Sequence, residues 1–215
     1  MKRTRWSCLT ALLATAMFWI GSPPQAAAQD LPPPSSETAT YVGSEACQKC
    51  HAEQSEPWEN NPHHGNRVDG HPAGPVVGCE SCHGPGSQHV AADGDEDDPR
   101  FKVIMSMKSA KAADASAVCV TCHRTAEQFY WAQSTHAKND VSCRDCHSIH
   151  QPKDPGGTKL LAAKNATAQC VKCHHDKRSE LAHTAHMPIR EGAMTCADCH
   201  NPHGSSGPKM IRAAS

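Results

Sequence analysis

The sequence has almost no aromatic residues. Three Phe, two Tyr and four Trp make up 4% of 215 residues, and all hydrophobic residues together reach only 38%. That is too little for an ordinary apolar core at this length. Without help the composition reads as loop-rich, close to what a disordered chain shows. Long apolar runs are also missing, except for one from Trp6 to Ile20. Lys2, Arg3 and Arg5 precede that run, and Ala26-Ala27-Ala28 follows it as a small-residue cleavage site before Gln29. The run is short for a membrane span, so 1–28 is expected to be a secretory signal peptide. Cys8 sits at the start of the run, away from the cleavage site, which argues against a lipid-modified mature cysteine.

A strong charge of one sign is lacking too. Lys2, Arg3 and Arg5 account for three of 21 basic residues, against 22 acidic ones, so the remainder carries −4 with histidine neutral. Nucleic-acid binding has no support in that balance. Residues 93–98, D-G-D-E-D-D, concentrate five acids. A calcium loop counted from Asp93 would need Gly at its sixth position and Glu at its twelfth, where Asp98 and Ile104 stand. The run is therefore expected to be a solvated loop.

Cysteine is what the chain has in excess. Of 13 cysteines, 12 fall into six copies of C-x-x-C-H: Cys47/Cys50/His51, Cys79/Cys82/His83, Cys119/Cys122/His123, Cys143/Cys146/His147, Cys170/Cys173/His174 and Cys196/Cys199/His200. This is the attachment motif of c-type haem. The two thiols add to the haem vinyl groups, and the adjacent histidine binds iron from one side. A zinc or disulfide protein has no reason to place histidine after every second cysteine. Six covalently bound haem c groups are expected, and they would provide the apolar core the side chains do not. Haem attached to an exported chain points to a periplasmic location or one at the outer membrane.

The other histidines follow a rhythm. From each motif histidine to a later one, the intervals are 13 (His51 to His64), 6 (His83 to His89), 13 (His123 to His136), 3 (His147 to His150), 12 (His174 to His186) and 3 (His200 to His203). Long and short alternate three times, which reads as three tandem di-haem units at about 43–92, 116–152 and 167–204. Each interval offers a second axial ligand, because neutral imidazole suits the open side of a c-type iron. His63 and His64 compete for the first haem, and the recurring offset of 13 favours His64. His183 and His186 compete for the fifth on one expected helix ending before Pro188, and His186 is favoured. His71 and His175 have no assigned role. The methionines and Trp58, Phe129, Tyr130 and Trp131 are expected to pack on haem faces.

The fold class expected is mostly α with extensive loops and little or no β, a haem-cored multihaem cytochrome c. The long intervals hold about three helical turns at ~3.6 residues each, and Thr125–His136 reads as such a helix. Gly84-Pro85-Gly86 and Asn201-Pro202 mark tight turns in the short intervals. Residues 29–42 form a Pro-rich tether, 43–204 the haem domain, and 205–215 a flexible tail.

The segments Y-V-G-S-E-A-C-Q-K-C-H (41–51), C-E-S-C-H-G-P-G-S-Q-H (79–89) and H-M-P-I-R-E-G-A-M-T-C-A-D-C-H-N-P-H-G (186–204) resemble the paired C-x-x-C-H cytochromes of the DmsE type. That group includes decahaem subunits of porin–cytochrome conduits, and the chain also resembles the pentahaem donor of periplasmic nitrite reduction. The resemblance covers nearly all of 41–204. It implies closely spaced haems, bis-histidine ligation and an electron-relay role, with His64, His89, His136, His150, His186 and His203 where distal ligands are expected. Six motifs here stand against ten in the conduit members.

The expected function is electron transfer by haem-to-haem tunnelling, without catalysis. Partners would be a quinol-oxidising membrane cytochrome on one side and a reductase or outer-membrane porin–cytochrome complex on the other. The alternatives are a multihaem reductase of nitrite, hydroxylamine or a sulfur oxyanion, and a polymerising extracellular haem wire. A reductase needs an open iron, often marked by lysine in place of the motif histidine, and all six motifs end in His.

Overall fold

A computed structural model of the chain describes residues 39–64, 67–68, 76–157 and 159–212. The expected leader, residues 29–38 of the tether, and His71 lie outside the described residues.

Short helices and loops dominate, as expected. In chain order they are α1 (Ser44–Gln48), α2 (Ala52–Trp58), α3 (Glu80–His83), α4 (Ser87–Ala91), α5 (Ala112–Val120), α6 (Thr135–Lys138), α7 (Cys143–Cys146), α8 (Ala166–Cys170), α9 (His175–Glu180) and α10 (Cys196–Cys199). Among the described residues, strand is confined to a two-stranded antiparallel ladder of β1 (Arg67–Val68) and β2 (Val76–Val77), with Arg67 opposite Val77. Helices of this length are unstable alone in water and persist through what they pack against.

The motifs themselves are the commonest helical turn. In every copy the histidine amide donates to the carbonyl of the first cysteine, at 3.0 Å in Cys47–His51, 3.1 Å in Cys79–His83, 3.0 Å in Cys119–His123, 2.8 Å in Cys143–His147, 3.1 Å in Cys170–His174 and 2.9 Å in Cys196–His200. One turn puts residues three and four apart on the same face, so both thiols and the imidazole share a side. Sequence caps fix two of these turns. Asp145 Oδ2 accepts the Ser142 amide at 2.6 Å before α7, and Asp198 Oδ2 accepts the Thr195 amide at 2.6 Å before α10.

Buried apolar side chains are few. Among the described residues they are Trp58, Ala92, Ala115, Leu160, Leu161 and Ala163. Buried polar groups do much of the joining instead. Glu80 is 4% exposed and accepts backbone amides from Val42 at 3.0 Å, Gly43 at 2.7 Å and Gly86 at 2.8 Å. This ties the entering strand of chain to both α3 and the turn before α4.

Three local expectations change. The helix expected over Thr125–His136 is two 3-10 turns, Ala126–Gln128 and Trp131–Gln133, followed by α6. Ser134 interrupts it: its Oγ accepts the Ala137 amide at 3.1 Å and starts a new helix. The helix expected to carry His183 and His186 stops at Glu180, before both. The tail expected to be free from 205 onward is pinned over 205–212. Asn201 N donates to Met210 O and Arg212 N to Cys199 O, both at 2.9 Å, and His200 bridges Ile211. Pro208 and the positive φ of Lys209 (52°) and Met210 (57°) turn the chain back. The same return follows α7, where Ser148 N meets Leu160 O at 2.7 Å, Ala162 N meets Cys146 O at 2.9 Å, and His147 bridges Leu161. A repeated return of this kind is a feature of the fold.

Candidate haem sites

The returning segments orient the second motif histidine of each pair. His83 Nδ1 lies 2.8 Å from Met105 O, His147 Nδ1 2.7 Å from Lys159 O, and His200 Nδ1 3.0 Å from Lys209 O. A carbonyl only accepts, so Nδ1 carries the proton and Nε2 keeps its lone pair for a metal.

Five motif histidines face a second imidazole. The ring centres of His51 and His89 are 6.1 Å apart, those of His83 and His150 6.3 Å, His123 and His63 5.9 Å, His147 and His203 6.1 Å, and His174 and His136 6.2 Å. Every pair joins one motif histidine to one that lies outside a motif, and no partner is used twice. An imidazole–metal bond is about 2 Å and a ring centre sits about 1 Å behind its nitrogen, so two imidazoles on opposite sides of one iron have centres roughly 6 Å apart. The donor set and the spacing fit haem c at these five positions.

The residues chosen from sequence are therefore mostly brought to motif histidines, but in a different arrangement. His89, His136, His150 and His203 face His51, His174, His83 and His147, where local intervals assigned them to His83, His123, His147 and His200. His64 faces no motif histidine. Its ring lies edge-on to Trp58 at 6.2 Å, and the neighbouring His63 takes the facing position, toward His123. His186 does not face His174. Its Nδ1 is 2.5 Å from His183 O and its Nε2 3.0 Å from Glu191 Oε1. The rings pair differently from the local assignment: His63, His136, His150 and His203 each reach a motif histidine of a neighbouring motif pair, while His89 stays within its own and faces His51.

Two asparagines, missed from sequence, fix that exchange. Asn61 Oδ1 accepts the His63 amide at 2.9 Å and its ring Nδ1 at 3.1 Å, while Asn61 Nδ2 donates to Ile149 O beside His150. Asn201 Oδ1 accepts the His203 amide at 3.1 Å, while Asn201 Nδ2 donates to Glu127 O at 2.9 Å. Both are 8% exposed. The signal was present: Asn-Pro-His occurs at 61–63 and again at 201–203. His136 adds another tie, Nδ1 to Pro202 O at 2.8 Å, and His89 Nδ1 bonds Phe101 O at 2.7 Å. The acidic loop delivers that Phe101, with Asp98 capping the turn through Arg100 N at 2.8 Å.

Burial favours the neutral form, the one that binds iron, at three of the partner imidazoles. Burial and the facing His147 push the His203 pKa down to about 4. His63 and His150 are lowered for the same reason, with His123 and His83 as the facing rings.

The thiols show how the sites are ordered. Cys47 is raised to about 11 by burial and by neighbouring Cys79, and Cys170 to about 11 by burial and by neighbouring Cys196. Cys143 is lowered to about 7 by a hydrogen bond from Cys119. First cysteines thus meet within each motif pair. Between pairs, Cys82 lies in the field of Cys122, and Cys146 in that of Cys173.

None of the twelve motif cysteines is paired in a disulfide, and they are not sheltered alike. Cys50, Cys122 and Cys173 are exposed, while the other nine are half-buried. The difference follows the motif order. These three are the second cysteines of the first, third and fifth motifs, where α1, α5 and α8 end at Gln48, Val120 and Cys170, before the second thiol. Cys50, Cys122 and Cys173 therefore stand on the turn beyond the helix end. In the other three motifs α3, α7 and α10 run on through Cys82, Cys146 and Cys199, which are half-buried.

The sequence is similar to known cytochromes. The profile described as cytochrome c-type protein NrfB-like matches residues 79–159, and that of the doubled CXXCH motif matches 186–215. The multiheme cytochrome MtrA of Shewanella baltica (strain OS185) is 31% identical over 165 residues, covering 76% of this chain and 47% of that protein. The high-molecular-weight cytochrome c of Nitratidesulfovibrio vulgaris (strain Hildenborough) is 28% identical over 151 residues, covering 66% of this chain and 25% of that protein. The chain thus spans about half the length of the first relative and a quarter of the second. Among the described residues no helix is long and apolar enough to cross a membrane. On its motifs, its ring pairs and these matches, the chain belongs to the multihaem c-type cytochromes with paired C-x-x-C-H motifs, a family of electron-transfer proteins.

Proposed function

We propose that the chain carries six haems and relays electrons along them in sequence order, outside the cytoplasm. The observation that supports this best is the set of five motif–partner ring pairs between 5.9 and 6.3 Å. In this reading the iron ligands are His51 with His89, His83 with His150, His123 with His63, His147 with His203, and His174 with His136. The twelve motif cysteines, the exposed Cys50, Cys122 and Cys173 included, hold the macrocycles. Bound haems supply the one-electron iron couple. The chain's own residues set its environment. Two imidazoles on each of these five irons would keep both oxidation states six-coordinate, so little rearranges on electron transfer. Carbonyls on Nδ1 of His83, His147 and His200 fix ring orientation and raise ligand basicity. Linear order follows from the thiol neighbours, from Cys47–Cys79 to Cys170–Cys196.

The donor would be a quinol-oxidising membrane cytochrome and the acceptor a reductase or an outer-membrane porin–cytochrome complex. The expected signal peptide and the thioether chemistry favour the periplasm. The test has two arms. In the ferric holoprotein, His63→Ala converts one haem to high spin and His64→Ala converts none. The reverse result overturns the ligand reading. The fully reduced protein, mixed with nitrite, hydroxylamine or sulfite, keeps its ferrous spectrum, while a ferric multihaem cytochrome reoxidises it rapidly. Turnover of any of the three substrates overturns the relay in favour of a reductase.

A further inference from the structure

Arg144 stands between the two cysteines of the fourth motif, inside α7. Its Nη2 donates to Ala110 O at 2.8 Å, and its Nη1 is buried with no hydrogen-bond partner. A guanidinium is always charged and carries five N–H donors, and a buried donor of a charged group left without an acceptor costs stability. The neighbouring carboxylate is engaged elsewhere: Asp145 Oδ2 accepts the Ser142 amide at 2.6 Å and the Ser142 hydroxyl at 2.7 Å. Arg100 and Arg212, by contrast, have carboxylate partners in Asp98 and Glu127.

The second motif has Glu80 at the matching place, one residue after its first cysteine. Both side chains reach the chain that enters the first motif of their pair. Glu80 accepts the Val42 and Gly43 amides ahead of α1, and Arg144 donates to the Ala110 carbonyl ahead of α5. Glu80 is occupied on both oxygens, with Gly86 N on Oε1 at 2.8 Å and Gly43 N on Oε2 at 2.7 Å. Arg144 is not: the joint to Ala110 uses one donor of five. The unused Nη1 and the positive charge both call for an anion.

Haem c brings such an anion. Each macrocycle carries two propionates, and a planar guanidinium matches a carboxylate in shape and charge. The propionates leave the half of the macrocycle opposite the one the cysteines hold. Arg144 starts one residue from Cys143, and Cys119 bonds Cys143, so the fourth and third haems would both present their thioether edges here. The carboxylate therefore belongs to a haem outside this pair. Two elements around Arg144 lead to the second haem. Ala110 ends a segment that begins at Met105, where Met105 N donates to His83 O at 3.0 Å and His83 Nδ1 lies 2.8 Å from Met105 O. The chain leaving α7 supplies His150, whose ring centre is 6.3 Å from that of His83.

Resting on the ligand reading above, we propose that Arg144 binds a propionate of the second haem through Nη1, and that its charge raises the potential of that haem. A cation fixed nearby favours the ferrous state, which carries one positive charge fewer, and a buried cation is weakly screened. Without Arg144 the propionate charge would act alone and hold the iron ferric. The same side chain clasps the first motif pair to the second. Its Nη2 holds the chain before α5, and its Nη1 holds a haem anchored at Cys79 and Cys82. Only hydrogen bonds form, and no proton is transferred.

The experiment is a redox titration of the full-chain holoprotein, followed by electron paramagnetic resonance. Arg144→Gln is expected to keep the native haem count and low-spin ferric spectra, and to lower one midpoint potential. Arg144→Lys keeps the charge and is expected to hold that potential near native. Both variants are expected to melt below the native chain, because both lose the bond to Ala110. A purely structural role would lower melting and leave every potential in place. Location is read in a His150→Ala chain, where the second haem is high-spin when ferric and can be titrated by its own signal. Adding Arg144→Gln there is expected to lower the midpoint of that signal and of no low-spin haem. The proposal is overturned if Arg144→Gln moves no potential, if Arg144→Lys lowers it as far as Arg144→Gln does, or if the midpoint that falls in the His150→Ala chain belongs to a low-spin haem. A His150→Ala chain with no high-spin haem overturns the ring pairs themselves, whatever Arg144→Gln does.

Discussion

Asn61 and Ile149 lie 88 residues apart and are joined by a hydrogen bond from the Asn61 side-chain amide to the Ile149 carbonyl. The same asparagine holds the amide of His63 at 2.9 Å. One buried side chain thus sets His63, which faces the third motif, and the backbone of His150, which faces the second.

Replacing Asn61 by Ala should leave the buried His63 amide and Ile149 carbonyl unsatisfied and cost about 1–3 kcal/mol. Thermal unfolding of the holoprotein measures that loss. Ferric spectra should show partial high-spin character at two haems together, those at Cys79 and Cys119. Asn61→Asp keeps the acceptor for His63 but faces a carboxylate to the Ile149 carbonyl, so the haem served by His150 should loosen more. A defect at the first haem alone would contradict this role.

Glu80 is a second joint. A carboxylate accepting three backbone amides is charge-assisted, and hydrogen bonds to a charged group contribute about 1.5–3 kcal/mol. Glu80→Gln should lower stability by an amount in that range. Because the bond to Gly86 sets the turn into α4, which carries His89, the first haem should be the one whose spectrum broadens. Unchanged melting with an unchanged spectrum would remove Glu80 from that part.

How much of this was legible in the sequence differs by feature, for physical reasons. The motif turns are local: an amide four residues from a carbonyl closes each one, so the Cys and His spacing was enough. The exposure of Cys50, Cys122 and Cys173 was not legible, because the motif spacing is the same in all six copies. The alternation of long and short histidine intervals was legible. Its meaning was not, because an interval counts residues along the chain and the ligand bond is made across units. His64 matched the offset of His136, yet the Asn-Pro-His shared by 61–63 and 201–203 was the better guide. It reports a side-chain amide that grips the histidine two residues on. The return over 205–212 had no apolar periodicity to reveal it. It depends on Pro208 and two left-handed residues, Lys209 and Met210.

Gly204 has φ +102°, and a Cβ there would meet Tyr130 O at 2.6 Å and Ser134 Cβ at 3.0 Å. Both neighbours belong to the segment leading into α6, which carries His136. Gly204→Ala should therefore cost about 1–3 kcal/mol through backbone strain. The damage should appear at the fourth and fifth haems, those faced by His203 and His136. Melting temperature and the count of high-spin haems measure it. A variant as stable as the native chain would mean that the third unit does not press on the second at this point.

The return at 208–212 gives the last prediction its sign. Lys209 O accepts the Nδ1 proton of His200 at 3.0 Å, which makes the imidazole a stronger donor to ferric iron and holds the potential of that haem down. Deleting residues 208–215 removes this acceptor, so the potential of the sixth haem should rise. Asn201 loses Met210 O but keeps Glu127 and His203, so the fourth haem should shift little. The deletion also removes the ion pair of Arg212 with Glu127 at 2.7 Å. Both partners of that pair are substantially solvent-exposed, and such pairs are worth about 0–1 kcal/mol. Arg212→Gln alone therefore separates the two effects, leaving the potential in place while the deletion moves it. Spectroelectrochemical titration of native chain, Arg212→Gln and deletion decides the matter: a rise in Arg212→Gln equal to that in the deletion would assign the effect to charge and not to the carbonyl on His200.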